Sequence, residues 1–547
     1  LENYQADEND RIVVAENDLS RLINEELGSD VSVGNFSPSE LLITFDRLAT
    51  RTIAVEPNVQ VKFREGYKSV KGIQLQPDSI AVSAPEDLIK ETSEKKLTIA
   101  CIGPGGEHQV RYAAIMNNKH RAVGRCGLGA VMGAKNLKAI RIGGDHPVVF
   151  KDAETVKAVN KTGATTFAAS FEKNPGGFLG VLKTYGTFGL LLLNQDVGNL
   201  PVTNFNRAQI DDENFQTAVS HAQIGETTVG RRNPCKGCYL GCKKMSAADP
   251  GHTALAEYES MALLGPNLGI TDMAQAMEFS ESCNLLGMDT ISTGALISYL
   301  MDGFANGDLD EDKLGFAIRF SEGDKIRDLI RMIAYREGKI GNLLADGIEE
   351  CRRVLGPATD RHLRFARGMG LPAHLPRVKP GIGFGYLHGP NPADHMKAEH
   401  DWIASSPGDL KVFNITATSD AFSLDRVKVE VYRATQIYYA AMDSLSLCMF
   451  IFGPGNILGY DDIVKMVNAA TGFDYAFEDL MRIGEQAIQL QRKLYCDFGG
   501  SDEDLLPYLE TPIPDGPTAG NRISREDFAA ARDYYYTLWG WDTGNRP

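Results

Sequence analysis

Across the first 150 residues the apolar positions come in short runs rich in β-branched side chains and closed by Pro, Gly or Asp: "LLITF", "GIQLQ", "SIAVSA", "KLTIACIG" and "KAIRIGG". Such runs predict strands. From Asp152 the period changes. "DAETVKAVNK", "TDMAQAMEFSESCNLLG", "DTISTGALISYLMDGF" and "DKIRDLIRMIAYREG" each open on an Asp or Thr and then repeat apolar residues at three and four, the signature of capped amphipathic helices. A Pro- and Gly-rich interval, "GLPAHLPRVKPGIGFGYLHGPNPADH", separates these from a last helical region containing "RVKVEVYRATQIYYAAMDSL" and "SREDFAAARDYYYTLWGW". An interval of that length predicts an ordered, functional loop rather than a bland linker. The pattern predicts an α+β protein: a β-rich N-terminal domain over 1–150, a helical domain over 151–365 and a C-terminal helical domain over 366–547.

At 547 residues the chain is too long for one hydrophobic core, which agrees with several domains. The formal net charge of −16 argues against a nucleic-acid footprint, which needs a basic surface. The longest apolar stretches, "FGLLLLN" and "LSLCMFIFGPG", fall well short of the ~20 residues that a spanning helix requires, so no membrane span is expected. The acidic, polar opening "LENYQADENDR" lacks the form of a signal peptide, and nine cysteines fit a reducing compartment better than a disulfide framework. A cytoplasmic protein is expected.

The cysteines are not evenly scattered. "NPCKGCYLGCKK" places Cys235, Cys238 and Cys242 at C-x2-C-x3-C spacing in a loop marked by Pro234 and two glycines. Close-spaced thiolates serve tetrahedral zinc or iron-sulfur clusters. A zinc site normally adds a second pair of ligands nearby, and only His252 offers itself. Three cysteines on one loop, completed by a distant fourth, suit a cubane cluster better. The spacing order is the reverse of the C-x3-C-x2-C of radical-forming clusters. Cys448 and Cys496 are both candidates for the fourth ligand, and spacing does not choose between them.

A second motif, "HRAVGRCGLGAVMG", carries Gly124, Gly127, Gly129 and Gly133 with Arg121 and Arg125. The glycines would let the backbone approach a bulky ligand, and the guanidinium forks suit phosphate oxygens. Its G-x-G-x3-G spacing departs from the dinucleotide fingerprint.

Together with "AEYESMALLGPNLGITD", these stretches resemble the tungsten-dependent aldehyde ferredoxin oxidoreductase family, from about Leu97 to the C-terminus. The resemblance implies an aldehyde oxidised to a carboxylic acid, with electrons leaving through a 4Fe-4S cluster to ferredoxin. It implies tungsten, or molybdenum as in relatives, on a bis-pyranopterin cofactor held by the β-rich domain, and Mg2+ bridging the pterin phosphates. It implies Cys235, Cys238, Cys242 and, from "DSLSLC", Cys448 as cluster ligands, with Ser446 in place of the usual glycine. Arg121 and the Ala122 carbonyl are implied at the phosphates and magnesium. Gly124, Arg125, Lys397, Asp443 and Leu447 are implied cofactor contacts, as are Asn284 and Asp289 of "NLLGMD", where Asn284 replaces an acid.

Glu259 of "EYES" matches the family's catalytic glutamate, a proton acceptor for the attacking water, and His395 of "ADHMK" its oxyanion-binding histidine. Glu257 stands two residues from Glu259 and must point to another face. Two departures stand out: between "NFSPSELLITFDRLATR" and "TIAVEPNVQVKFREGYKSVKG" several dozen family residues are missing, and Glu278 to Glu281 lacks the histidine of a subunit-bridging iron site, so that iron is not expected. A homodimer or hetero-oligomer remains compatible. Rival readings on the same resemblance are a reductive relative acting on an aromatic acyl thioester, and an electron-transfer subunit that has lost its tungsten.

Overall fold

The computed structural model describes residues 98–118, 121–142, 148–248, 253–500 and 505–541, together with four strands of the first 97 residues. The chain divides into two units, Leu1–Leu97 and Thr98–Pro547. In the first, β1 (Arg11–Ala15) pairs antiparallel with β2 (Glu40–Thr44), and β3 (Leu48–Ala54) with β4 (Ser79–Pro85). "LLITF" and "SIAVSA" are strands as expected, whereas "GIQLQ" lies outside the described residues.

The second unit opens with an antiparallel sheet in the order β7-β6-β5-β8, made from β5 (Thr98–Ile102), β6 (Ile115–Asn117), β7 (Arg121–Val123) and β8 (Ala139–Ile142). Two short helices lie between its strands, α1 (Pro104–Glu107) and α2 (Leu128–Ala134). The division falls at Leu97 and not at 150, because this sheet is bonded into the helical body. Arg111 N–H donates to the Ala345 carbonyl, Ala114 N–H to Gly287, and Asp289 N–H to Tyr112. Nor do 151–365 and 366–547 form separate cores. One buried apolar cluster runs from Val110 through Leu263, Leu300 and Phe384 to Trp541.

The helices follow their caps. Asp152 accepts the Thr155 N–H before α3 (Ala153–Lys173), and Asp272 accepts the Ala274 N–H before α6 (Met273–Leu286). Between them lie α4 (Phe178–Tyr185) and α5 (Tyr258–Leu264), the latter bearing Glu259. Gly287 ends α6 at φ 71°, and a Cβ there would stand 2.6 Å from the Gly103 nitrogen, so both the turn and the sheet contact require glycine. After α7 (Thr290–Ala305) come α8 (Gly323–Tyr335), α9 (Pro380–His388) and α10 (Arg426–Ser444), then α11 (Tyr460–Thr471), α12 (Phe477–Asp497) and α13 (Arg525–Trp539).

Helix α7 is buried on all sides from Ile291 to Gly303 and therefore buries Asp302 as well. An unpaired carboxylate there would be costly. His362 Nδ1 lies 2.8 Å from Asp302 Oδ2, its Nε2 lies 2.6 Å from Asp308, and Asn204 donates to Asp302 at 3.0 Å. Burial alone would raise the Asp302 carboxyl; the bonds from His362 and Asn204 overcome it and hold it below the ordinary carboxylate range. A depressed folded-state value contributes stability above the unfolded value and loses it as pH falls through the folded one. His362→Leu is expected to cost roughly 3–5 kcal/mol, the penalty for stranding a buried charge. Asp302→Asn should flatten the fall in apparent Tm below about pH 4, and thermal melts across pH check both.

Candidate active site and thiol cluster

Strand β9 (Val229–Arg232) pairs antiparallel with β10 (Lys244–Ser246), and the connection between them carries Cys235, Cys238 and Cys242. Gly237 at φ 76° and Gly241 at φ 63° make the bends, and Cys238 N–H closes one turn on the Cys235 carbonyl at 3.0 Å. Lys244 is buried beneath the loop and donates to the carbonyls of Gly241, at 3.0 Å, and Lys183. Burial lowers its ammonium to about 8. The loop is thus tied down to the end of α4.

Cys448 reaches the same place from the far side, where α10 ends and Cys448 caps the short helix Met449–Phe452. Burial raises its thiol, while backbone N–H groups of Phe450 and Ile451 act the other way. Cys242 is pushed up to about 12, first by burial and then by Glu257, Cys448, Cys238 and Cys235. Cys235 and Cys238 thus lie near enough for their charge to act on both Cys242 and Cys448. Such a set becomes favourable as thiolates only around compensating positive charge, and its donor chemistry fits an iron-sulfur cluster. Arg121 adds a cation at its edge, donating to Cys235 Sγ at 3.3 Å and to the Asn233 carbonyl at 3.1 Å. Cys496, the other candidate from spacing, lies in the last turn of α12.

Glu257 and Glu259 separate as their spacing requires. Glu257 faces the thiol loop, 2.6 Å from Lys243 Nζ and bonded by Thr187. Glu259 turns into the body, where its Oε2 accepts the Ala373 N–H at 2.6 Å. The preceding Tyr258 donates its hydroxyl to the Ala373 carbonyl at 2.5 Å, so one turn of α5 clasps both polar groups of that residue. Glu259 Oε1 lies 3.4 Å from His395 Nε2 and 3.5 Å from His374 Nε2, yet accepts no hydrogen bond. His395 Nδ1 is also buried without a partner.

Behind them Lys379 Nζ lies 2.8 Å from His400 Nδ1 and 3.3 Å from His374 Nδ1. Burial lowers Lys379 to about 8. Burial, reinforced by Lys379, drives His374 and His400 well below the ordinary histidine range. Tyr386 is buried close by, its phenol raised by burial and then by the Glu259 charge.

Ligand atoms of Glu259, His374 and His395 lie within 4.8 Å of one another, as in a two-histidine, one-carboxylate metal site. The surroundings oppose that use. A ligating histidine donates its other nitrogen to an acceptor, whereas His374 Nδ1 faces the ammonium of Lys379 and the amide nitrogen of Asn199, both donors. His374 and Lys379 escaped the sequence reading. Their only signal was membership of the Pro/Gly-rich interval, since nothing in periodicity brings that loop onto α5.

Among the expected cofactor contacts, Lys397 and Asp443 meet at 2.6 Å on the wall of a cavity of about 240 Å³ that Asn391, Gln436 and Gln491 also line. Leu447 packs with the apolar cluster beneath the thiol loop, Asn284 stands half-buried on the last turn of α6, and Ala122 is exposed on β7. Arg125 and Asp289 face the protein instead. Arg125 donates to the carbonyls of Gly370, at 2.5 Å, and Ala393, with its Nε 3.6 Å from Asp289 Oδ2. Asp289 accepts the Ile291 and Ser292 N–H groups as the cap of α7.

The glycine run also differs from expectation. A Cβ on Gly127, Gly129 or Gly133 would strike the carbonyl oxygens of Arg111, Ala114 and Gly106 at 2.1, 2.5 and 1.8 Å, whereas one on Gly124 would meet nothing within 4 Å. These three glycines let α2 press against its own chain, and only Gly124 leaves open space. Gly133→Ala should therefore lower the apparent Tm by several degrees, while Gly124→Ala leaves it within about a degree; a thermal shift comparison decides.

The chain matches known proteins over most of its length. The family model for the aldehyde ferredoxin oxidoreductase N-terminal domain matches residues 72–144, and that for domains 2 and 3 of the same family matches 164–547. A tungsten-containing aldehyde ferredoxin oxidoreductase from Pyrococcus furiosus is 34% identical over 83% of this chain and 72% of its own length. Its counterpart from Thermococcus kodakarensis is 33% identical over 85% and 74%. A WOR-like subunit of an aliphatic sulfonate oxidoreductase from Pyrococcus furiosus is 27% identical over 89% and 75%. In fold, the chain resembles the active site complex BamBC of benzoyl coenzyme A reductase, with a TM-score of 0.67 at 18% identity over 84% of this chain and 73% of that one.

Proposed function

The chain belongs to the aldehyde ferredoxin oxidoreductase family, and from that premise we propose that it oxidises an aldehyde to a carboxylic acid at a tungsten bis-pyranopterin centre and passes electrons through a 4Fe-4S cluster to ferredoxin. The observation that carries this reading is the convergence of Cys448 on Cys235, Cys238 and Cys242, with Arg121 bonded to Cys235, in a chain that also buries Glu259 against His395. Those thiols are the ligands we assign to the cluster. For the pterins, Lys397 and Asp443 offer a cation and an acceptor at the cavity wall, and Gly124 leaves room for a close approach. Arg121 and Ala122 are assigned to the phosphates and magnesium, Asn284 and Leu447 to flanking contacts. Arg125 and Asp289 act from behind, holding the Ala393 and Gly370 carbonyls and the start of α7.

Converting RCHO and water to RCOOH releases two electrons and two protons. The bound metal and cluster supply the electron sink; the chain's residues handle protons and charge. Glu259 Oε1, buried and accepting no hydrogen bond, takes a proton from the attacking water. His395 Nδ1, also buried and unpartnered, donates to the oxygen on which negative charge develops at the carbonyl. Burial around them keeps bulk water out and makes each such contact stronger than it would be at the surface.

Anaerobically prepared protein is expected to contain tungsten, pterin and iron and to reduce a viologen dye when given acetaldehyde. Iron alone, or zinc without iron, would sink the reading. Cys448→Ser should remove most of the iron, whereas Cys496→Ser should leave it. Glu259→Gln and His395→Ala should each lower kcat/KM by about 10²–10⁴ with tungsten and iron contents unchanged.

A further inference from the structure

We propose that His374 is a positioning residue for Glu259: Asn199 and Lys379 fix its ring as the tautomer with hydrogen on Nε2, and that hydrogen is aimed at Glu259 Oε1. The inference rests on the reading of Glu259 as the proton acceptor and adds to it the group that sets its behaviour.

The tautomer follows from a chain of donors and acceptors anchored at two backbone groups, whose polarity is fixed. The Leu375 N–H can only donate, and it lies 2.9 Å from Asn199 Oδ1. That orients the Asn199 amide, so its Nδ2 donates to Asn194 Oδ1 at 2.7 Å and to His374 Nδ1 at 3.1 Å. Asn194 agrees, since its own Nδ2 donates to the Leu190 carbonyl at 2.9 Å and leaves its Oδ1 to accept. His374 Nδ1 must therefore accept. Lys379 Nζ, a donor when charged, approaches the same nitrogen at 3.3 Å. A neutral ring that accepts at Nδ1 carries its hydrogen on Nε2.

His374 Nε2 is 3.5 Å from Glu259 Oε1, an oxygen that accepts from no other group. The contact is long for a hydrogen bond, and contacts of this kind tighten when a site is loaded. His400 is fixed in the same way. Its Nδ1 faces Lys379 at 2.8 Å, and its Nε2 stands 3.1 Å from the His395 carbonyl, which can only accept. Lys379 thus orders the two rings that back the reacting pair.

The charged and titratable groups around this pair are few and all placed. Tyr258 comes from α5 itself, and Lys379, Tyr386, His395 and His400 from the Pro/Gly-rich segment and its continuation. Behind Lys379 stand Asp401 and Glu399. Asp401 is already paired with Lys428 at 3.0 Å, and Glu399 is bonded by Tyr439. His395 Nε2 also lies 3.4 Å from Oε1, but with the hydrogen of that ring on Nδ1 it brings none there, so among these groups His374 is the one that does.

The sign of the effect is fixed. A carboxylate that loses a donated hydrogen bond is protonated more readily, so the acidic limb of activity moves to higher pH. With holoprotein, acetaldehyde and a viologen acceptor, His374→Leu should move the acidic limb of kcat/KM up by about one pH unit or more while tungsten and iron contents hold. His374→Gln, whose carboxamide nitrogen can still donate, should leave the limb in place. Lys379→Met removes a donor and a cation and should move the limb the same way, which covers the case of an unfolded leucine variant.

Nitrogen-15 spectra of histidine-labelled full-length protein, assigned with His374→Gln, should show hydrogen on His374 Nε2 and none on Nδ1. An unshifted limb in both His374→Leu and Lys379→Met, or hydrogen on Nδ1, overturns the proposal. If the wild-type protein oxidises no aldehyde, the functional reading falls, and the nitrogen spectra alone decide the positioning.

Discussion

Four sulfur atoms from two distant parts of the chain are gathered in one place, where burial and the neighbouring sulfurs oppose ionisation of Cys242 and Cys448, and much of the surrounding architecture serves to keep them there. A hairpin supplies three and the end of α10 supplies the fourth. The hairpin is held by the buried Lys244 on its Gly241 carbonyl and by Arg121 on the Cys235 sulfur. Each is a cation placed where thiolate charge would accumulate, in a protein whose formal net charge is −16. The local field therefore runs counter to the global one.

The second constraint is spatial. The carboxylate of Glu259 belongs to a helix, while the histidines that meet it belong to a long segment with little regular structure between Phe365 and His400. Such a segment keeps its shape only if its backbone groups are satisfied. Here they are satisfied by Glu259 at Ala373, by Asn199 at Leu375 and by Asp401 at the first N–H groups of α9, Gly381 and Ile382. Reactive and supporting bonds are the same bonds, which leaves few ways to move one without the other.

The sequence made some of this legible and hid the rest for identifiable reasons. Helices with an Asp at the cap and apolar residues at three and four, such as those opening at Asp152, Asp272 and Asp289, stand where the pattern puts them, because cap chemistry and periodicity are local. The opposite orientation of Glu257 and Glu259 was equally local. The glycine run misled, because a glycine that admits a ligand and one that admits a neighbouring carbonyl look alike along the chain; Gly127, Gly129 and Gly133 are of the second kind. Asp289 was readable as a cap and as a cofactor contact, and its carboxylate has the cap as its partner. His374 and Lys379 could not be placed, since the pairing of a loop with Asn199 and Glu259 arises from contacts about 115 to 175 positions apart, which no local pattern records.

The clasp of α5 on Ala373 has a consequence for how this site can vary over evolutionary time. It uses only the amide hydrogen and the carbonyl of residue 373, so the identity of that side chain is invisible to it. Any residue small enough for the buried space can occupy the position without disturbing Glu259, with the exception of proline, which has no hydrogen to give. The next position enjoys no such freedom, because there the imidazole itself is the contact. Drift in this segment is thus filtered residue by residue, by which atoms each position lends to its neighbours.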